Sequence, residues 1–169
     1  ESQQIEGFEH GADAYVIKPF NAQFLISRIS NLLQSRMQLR KLFSEKDTKT
    51  KTITQDVHIE QVSTPDSRFM DSLKDAVEKH ISDAHLKMDD LGDELGMSRV
   101  QLYRKVKALT GLSPVELLRK IRLQKAYSLL LNSDMTISEI SYKVGFGTPS
   151  YFSSCFYKQY DMYPTDVRK

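Results

Sequence analysis

One pattern of apolar, glycine and proline residues occurs twice in this chain. The offset between the copies is 49 residues up to a shared glycine and 50 residues after it, so the second copy has one extra residue in its turn. The first copy consists of Leu91, Leu95, Gly96, Met97, Ser98, Leu102, Val106, Leu112, Ser113 and Pro114. The second consists of Ile140, Val144, Gly145, Phe146, Gly147, Phe152, Phe156, Met162, Tyr163 and Pro164. Apolar residues at helical spacing on both sides of a glycine predict two helices joined by a tight turn in each copy.

Residues that begin and end helices are frequent from Thr64 onwards. Three pairs have the spacing of a capping box, in which a hydroxyl and a carboxamide or carboxylate satisfy each other's backbone amides: Ser98 with Gln101, Ser113 with Glu116, and Thr136 with Glu139. Thr64-Pro65 and Thr148-Pro149 each add a cap followed by a first-turn proline. These positions predict an all-α domain of seven helices, at about 66–82, 88–95, 99–110, 114–131, 137–144, 149–160 and 165–168.

The first 43 residues have a different pattern. The continuous apolar run at 14–17 predicts a strand buried on both faces of a parallel sheet. Asn21 then caps a helix that extends to about Phe43. Its apolar face is predicted to contain Leu25, Ile29, Leu32, Leu39 and Phe43. We therefore predict a strand–helix unit at 1–43, a linker at 44–63 and the helical domain at 64–169.

Charge is concentrated in one part of the chain. The net charge is only +2, but residues 99–125 contain eight basic residues and one acidic residue. A basic stretch that includes a helix after a tight turn favours a phosphate-facing surface. The sequence has one cysteine, no signal-peptide pattern and no apolar run long enough to span a bilayer, so we expect a cytoplasmic segment without an internal disulfide. It begins at Glu1 rather than Met, and we expect it to be part of a longer protein whose other parts include a membrane anchor in some architectures.

Two helix–turn–helix units favour DNA recognition, because the second helix of such a unit enters the major groove. In the first unit, Leu102 and Val106 must face the core, which turns a set of five residues outwards: Arg99, Val100, Tyr103, Arg104 and Lys107. Arg104 is the candidate for a bidentate contact to guanine. In the second unit, Phe152 and Phe156 face the core and leave Ser150, Ser153, Ser154 and Tyr157 outside. The alternative is two helical hairpins with solvated polar faces.

The predicted helix between the units acts as a spacer. At about 18 residues it is about 27 Å long, close to the ~34 Å between successive major grooves on one face of DNA. Arg119, Arg122 and Lys125 on this helix are candidate phosphate contacts, with ordinary surface charge as the alternative.

Residues 66–169 resemble the AraC-type DNA-binding domain. The matching signature is formed by Gly145, Phe146, Ser150, Tyr151, Phe152, Phe156, Pro164 and Arg168. The resemblance implies one chain that binds an asymmetric site through both units, with DNA-facing positions at Val100, Tyr103, Arg104, Pro149, Ser150, Ser153 and Ser154. Ser154, Asp161 and Tyr163 depart from the usual residues, and Asp161 must adopt a left-handed conformation that aspartate tolerates.

Residues 11–20 resemble the last strand of a two-component receiver domain. The resemblance implies that Lys18 is the lysine that reaches the phosphorylated aspartate and that Tyr15 is the switching aromatic residue. It covers only the end of a receiver, about 1–43, without the phosphoacceptor aspartate. A receiver remnant, a linker and an AraC-type domain together resemble the output end of a response regulator or a hybrid histidine kinase.

The predicted function is sequence-specific DNA binding that regulates transcription in a bacterial two-component phosphorelay. We expect no catalytic site, no cofactor and no metal site, since His85 and Asp89 are too few ligands for one. The expected partners are double-stranded DNA, RNA polymerase as a further candidate, and upstream receiver and kinase modules, without membrane contact. The alternative is a fragment of a hybrid sensor kinase whose catalytic parts lie elsewhere. Residues 1–43 are alternatively a protein-interaction unit, and their apolar helix face predicts a homodimer.

Overall fold

The computed structural model describes residues 21–44 and 65–168, without the side chains of residues 42–44. Seven α-helices and one 3-10 turn form this part of the chain: α1 Ala22–Ser44, α2 Pro65–Lys79, α3 Met88–Glu94, α4 Arg99–Thr110, α5 Pro114–Asn132, α6 Ile137–Lys143, α7 Pro149–Tyr160, and the 3-10 turn Asp166–Arg168. From residue 65 onwards the six α-helices α2 to α7 and the 3-10 turn correspond to the seven helices predicted, so the all-α prediction is confirmed. The predicted strand at 14–17, the switch residues Tyr15 and Lys18, and all of the linker predicted at 44–63 except Ser44 lie outside the described residues.

Local hydrogen bonds explain where the helices begin. All three predicted capping boxes are confirmed at Ser98–Gln101, Ser113–Glu116 and Thr136–Glu139. The sequence prediction missed one helix-start bond, in which the Lys87 amide donates to the Asp90 carboxylate at 3.0 Å. The second helix ends at Lys79 instead of residue 82, because the chain forms single turns from His80 onwards.

The two helix–turn–helix units have separate hydrophobic cores. The first core contains buried residues from α2 to the first half of α5: Phe69, Leu73, Ala76, Val77, Leu91, Leu102, Val106, Leu109, Leu117 and Leu118. The second begins farther along α5: Leu123, Ala126, Leu130, Ile140, Val144, Phe146, Phe152, Cys155 and Phe156. The predicted core faces of α4 and α7 are confirmed, because Leu102, Val106, Phe152 and Phe156 are all 0% exposed.

The end of the domain is attached to the far end of α5 by Arg168. Its guanidinium donates hydrogen bonds to the carbonyls of Leu130 at 3.2 Å and Ser133 at 3.0 Å, and also to that of Met135. Asp161 ends α7 with a φ of 55°, which confirms the predicted left-handed conformation. The Arg168 hydrogen bonds therefore hold the 3-10 turn against the carboxyl end of α5.

The N-terminal helix α1 lies against α4 of its own chain. Arg40 Nε donates to the Ala108 carbonyl at 2.9 Å, and Arg36 Nε lies 3.5 Å from the buried Asp66 carboxylate. Leu39 packs against the first core. The apolar face predicted for α1 is therefore partly covered by this chain, although Ile29 on that face is 48% exposed. The homodimer through residues 1–43 stays a prediction.

Candidate nucleic-acid interface

The turn of the first unit brings the backbones of α3 and α4 close together. The Met97 amide donates to the Gly92 carbonyl at 2.8 Å, and Gly96 has a φ of 64°. A side chain at Gly92 would place its Cβ 2.6 Å from the Met97 carbonyl oxygen, too close for any residue but glycine. The close approach directs the amino end of α4 away from the first core.

Helix α4 exposes the predicted outward face. Val100 is 58% exposed and Tyr103 50%, while Arg104 and Lys107 are also exposed. Arg99 begins the helix with its side chain 72% exposed, and its guanidinium lies 3.9 Å from the Asp89 carboxylate on α3. An exposed ion pair of this length contributes little to stability and leaves the arginine available to a phosphate. The five predicted residues of α4 therefore lie together on an open surface.

Helix α7 offers a less polar surface. Thr148 caps the helix, and its hydroxyl accepts a hydrogen bond from the Tyr151 amide at 3.3 Å. Ser150 and Ser154 are exposed, whereas Pro149 and Ser153 are half-buried. The Ser154 hydroxyl donates to the Ser150 carbonyl at 3.1 Å, so it already has an acceptor in its own helix. These four positions carry short side chains without charge, which distinguishes them from Arg99, Arg104 and Lys107 on α4.

The sequence prediction left Tyr151 out of the candidate site. Its side chain is 54% exposed in the first turn of α7, and its ring lies 5.8 Å from that of Phe146. A tyrosine there combines apolar contact area with a hydroxyl, which suits a partner surface that is partly apolar and partly polar. The sequence indication for its exposure is that Tyr151 directly precedes the core residue Phe152 and therefore lies beside the core face of α7.

The basic residues of α5 do not all face outwards. Arg119 is exposed, as predicted for a phosphate contact, and so is Lys125. Arg122 is half-buried, and its guanidinium donates to the carbonyls of Gly145 at 3.0 Å and Asp83 at 2.6 Å. Burial lowers the pKa of the Arg122 guanidinium from its ordinary value, while the nearby Asp83 carboxylate opposes that shift. Two Arg122 donors therefore already have acceptors in the protein backbone, which favours a structural contact over the predicted phosphate contact.

Two acidic groups stay ionised at helix starts. Hydrogen bonds from the Ser113 amide and hydroxyl hold the pKa of the Glu116 carboxyl below its ordinary value, and Thr136 does the same for Glu139. Both carboxylates sit in the first turn of their helix, where negative charge is favourable. The role of Glu116 in helix capping explains why one acidic residue occurs within the basic stretch 99–125.

Other kinds of site are not apparent in the described parts of the chain. Residues 21–44 and 65–168 contain no group of three His, Cys, Asp or Glu side chains placed to hold a metal ion. Within the same ranges, no helix combines the length and apolar character needed to cross a bilayer. Cys155 is buried in the second core, where it packs as a small apolar residue.

The exposed faces of α4 and α7 are expected to contribute unequally to DNA binding. Arg104→Ala should weaken binding by about 1–3 kcal/mol and relax base preference at one half-site, because a bidentate contact to guanine would be lost. Ser153→Ala and Ser154→Ala should each cost less, since one hydroxyl is half-buried and the other is bonded within its helix. Titration of each variant against duplex DNA measures the difference.

The control for this comparison is Lys74→Ala, which removes an exposed cation from α2, a helix outside the candidate surface. It should bind as the unchanged chain does. A larger loss at either serine than at Arg104 would reverse the ranking of the two helices.

Comparison with known proteins places this arrangement among helix-turn-helix proteins. Residues 91–169 match a family described as a helix-turn-helix domain. A protein named Histidine kinase P4 from Formosa agariphila is 37% identical over 166 residues, which is 98% of this chain and 12% of the kinase. This chain thus spans a small part of that relative.

Two solved structures share the fold. The C-terminal domain of AraT, a response regulator from Geobacillus stearothermophilus, has a TM-score of 0.56 and 34% identity over 64% of this chain and 87% of that domain. The DNA-binding domain of AdpA, a global transcriptional factor, was solved in complex with a target DNA. Its TM-score is 0.54, with 27% identity over 59% of this chain and 88% of that one.

Proposed function

We propose, from the premise that the C-terminal part of this chain is an AraC-type helix-turn-helix DNA-binding domain, that it reads one asymmetric DNA site as the output segment of a two-component protein. The observation that carries the proposal is the pair of helix–turn–helix units joined by the single helix α5. The second helix of each unit is exposed to solvent. We call α4 and α7 the reading helices. The domain serves binding and regulation rather than catalysis.

The proposed roles differ between the reading helices. Arg104 reads a guanine, Val100 and Tyr103 make apolar contacts, and Arg99 and Lys107 hold the flanking phosphates. On α7, Ser150, Ser153 and Ser154 approach the backbone or base edges with Pro149, and Tyr151 adds contact area. Helix α5 has 19 residues and is about 28 Å long. This length is close to the ~34 Å between successive major grooves on one face of DNA, which suits the placement of both reading helices in neighbouring grooves.

The two-component role is supported by the kinds of protein that this chain is similar to. One is a histidine kinase and another is a response regulator. We propose that residues 1–43 end a receiver domain, that 44–63 link it to the DNA-binding domain at 64–169, and that receiver and kinase modules precede them in the parent protein. RNA polymerase is a further proposed partner of the bound regulator.

A hybrid histidine kinase is the parent that we favour, because the kinase similarity extends over 98% of this chain. The segment itself would then supply the transcriptional response and no phosphotransfer. An assay of ATP binding and autophosphorylation on this chain distinguishes the two activities, and neither is expected here. Either activity in the purified chain would make the segment catalytic and contradict its assignment as an output segment.

The central experiment is selection of bound duplexes from a random DNA pool, followed by titration of the selected site at several salt concentrations. If about six phosphates are neutralised, the logarithm of affinity should fall with the logarithm of salt with a slope of roughly −5. The basic residues of α4 and α5 are the reason for this expectation. A duplex of scrambled sequence is the control for specificity. Salt-insensitive binding, or none to any duplex, would contradict the proposed function.

A further inference from the structure

The two reading helices are carried by units that do not share a core. The first core ends on α5 at Leu118, and the second begins on the same helix at Leu123. Ile121, between them, packs with the first core only. A single helix that joins two cores can bend or twist at the junction unless another contact holds the units together. The relative placement of α4 and α7 therefore depends on what bridges this junction.

Arg122 lies at that junction and contacts both units. Its Nη2 donates to the Asp83 carbonyl in the α2–α3 loop, 2.6 Å away, and its Nη1 donates to the Gly145 carbonyl in the α6–α7 turn, 3.0 Å away. Both acceptors are backbone atoms, so neither can turn aside without moving its loop. Hydrogen bonds from an ionised donor are roughly twice as strong as neutral ones, and the planar guanidinium fixes the angle between them.

The backbones of the two units also approach each other directly beside Arg122. Gly145 has a φ of 78°, and a Cβ there would lie 2.3 Å from the Ile81 carbonyl oxygen and 2.8 Å from the Arg122 guanidinium carbon. Within the described ranges the Nε of Arg122 is buried and has no hydrogen-bond partner.

We propose that Arg122 is a positioning residue that holds the two reading helices at one separation and so sets the spacing between the two half-sites that the chain accepts. This inference rests on the proposed DNA-binding function. One added base pair moves a half-site by about 3.4 Å and rotates it by about 35° around the DNA axis. Two units joined rigidly cannot follow such a shift, whereas two units joined only by a helix can adjust to it.

The test compares Arg122→Met with Arg119→Met on a series of duplexes. The series is built from the site that the unchanged chain selects from a random pool, with one base pair removed or one or two inserted between its halves. The unchanged chain should lose at least about tenfold in affinity per inserted pair, because the contacts of one reading helix are lost. The affinity of the Arg122→Met variant should vary by less than about threefold across the series of duplexes.

Arg119→Met is the matched control, because it removes an exposed arginine one turn earlier on the same helix. It should weaken binding equally at every spacing and make the salt slope shallower by about one, as expected for a phosphate contact. Arg122→Met should leave the salt slope unchanged. If Arg122→Met instead gives the uniform loss and the shallower slope, Arg122 is a phosphate contact and the inference is wrong.

A second variant and a measurement without DNA keep the test independent of folding and of the proposed function. Arg122→Lys retains the charge but not the planar guanidinium, and it should also reduce the dependence of affinity on half-site spacing.

Spin labels at Lys107→Cys and Lys158→Cys, in a chain that also carries Cys155→Ala, report the distance between the reading helices without DNA. The distance distribution should be narrow with Arg122 and broader with either substitution, whereas an unchanged distribution would overturn the inference. Failure of the unchanged chain to bind any duplex would contradict only the proposed function.

Discussion

Phe156→Ala is expected to lower the free energy of unfolding by about 3–5 kcal/mol, the loss typical of a large aromatic residue removed from a packed core. Phe156 is 0% exposed at the centre of the second core. Its ring lies 4.7 Å from that of Tyr160, 5.6 Å from that of Phe152 and 6.1 Å from that of Tyr127. Alanine would leave a cavity between α5 and α7, and would remove three aromatic contacts at once.

Urea denaturation followed by circular dichroism measures this loss. Tyr157→Ala is the control, because Tyr157 is the next residue of α7 and is 44% exposed. We expect that substitution to cost less than about 1 kcal/mol, as is usual for surface positions. Equal losses for the two variants would mean that α7 does not bury the face described here.

Gly145→Ala is expected to destabilise the domain by about 2–5 kcal/mol. Part of the cost, about 1–2 kcal/mol, is the strain of an L-residue in a left-handed conformation. The rest, about 1–3 kcal/mol, comes from forcing a methyl group into a filled space. That space is bounded by the Ile81 carbonyl oxygen, only 2.3 Å from the ideal Cβ position. A carbonyl oxygen belongs to the backbone, so the α2–α3 loop would have to move.

Gly111→Ala separates the two contributions. Gly111 has the same φ of 78° but nothing within 4 Å of its ideal Cβ position. It should show only the strain of about 1–2 kcal/mol. The difference between the two variants in thermal or urea denaturation measures the contact between the units. If they are equally destabilised, the α6–α7 turn and the α2–α3 loop do not approach each other closely.

Features that depend on neighbours along the chain were predictable from the sequence. The capping boxes and the exposed face of α4 depend on residues three or four positions apart, whereas the left-handed Asp161 was expected from the family resemblance. A helix start needs a hydroxyl or carboxylate at one position, and a core face needs apolar residues one turn apart. For this reason most helix starts and the buried residues Leu102 and Phe152 followed from spacing alone.

The direction of a long charged side chain was not predictable in the same way. Arg119 and Arg122 occur on one helix, three residues apart, and the sequence treats them alike. Arg122 is near two backbone carbonyls from distant loops, at Asp83 and Gly145, whereas Arg119 faces solvent. Two other features also depend on packing partners that the periodicity of apolar residues does not identify. They are the half-burial of Ser153 and the contact between α1 and α4.

The sequence by itself determined that this chain forms two helix–turn–helix units on one connecting helix, because helix starts, turns and apolar faces are encoded within a few residues of each other. Only the tertiary structure decided which arginine points outwards, where α1 lies, and how the two units are joined at Gly145. Those features arise where segments dozens of residues apart meet, and the free energy of such contacts depends on distances and burial that no local pattern specifies.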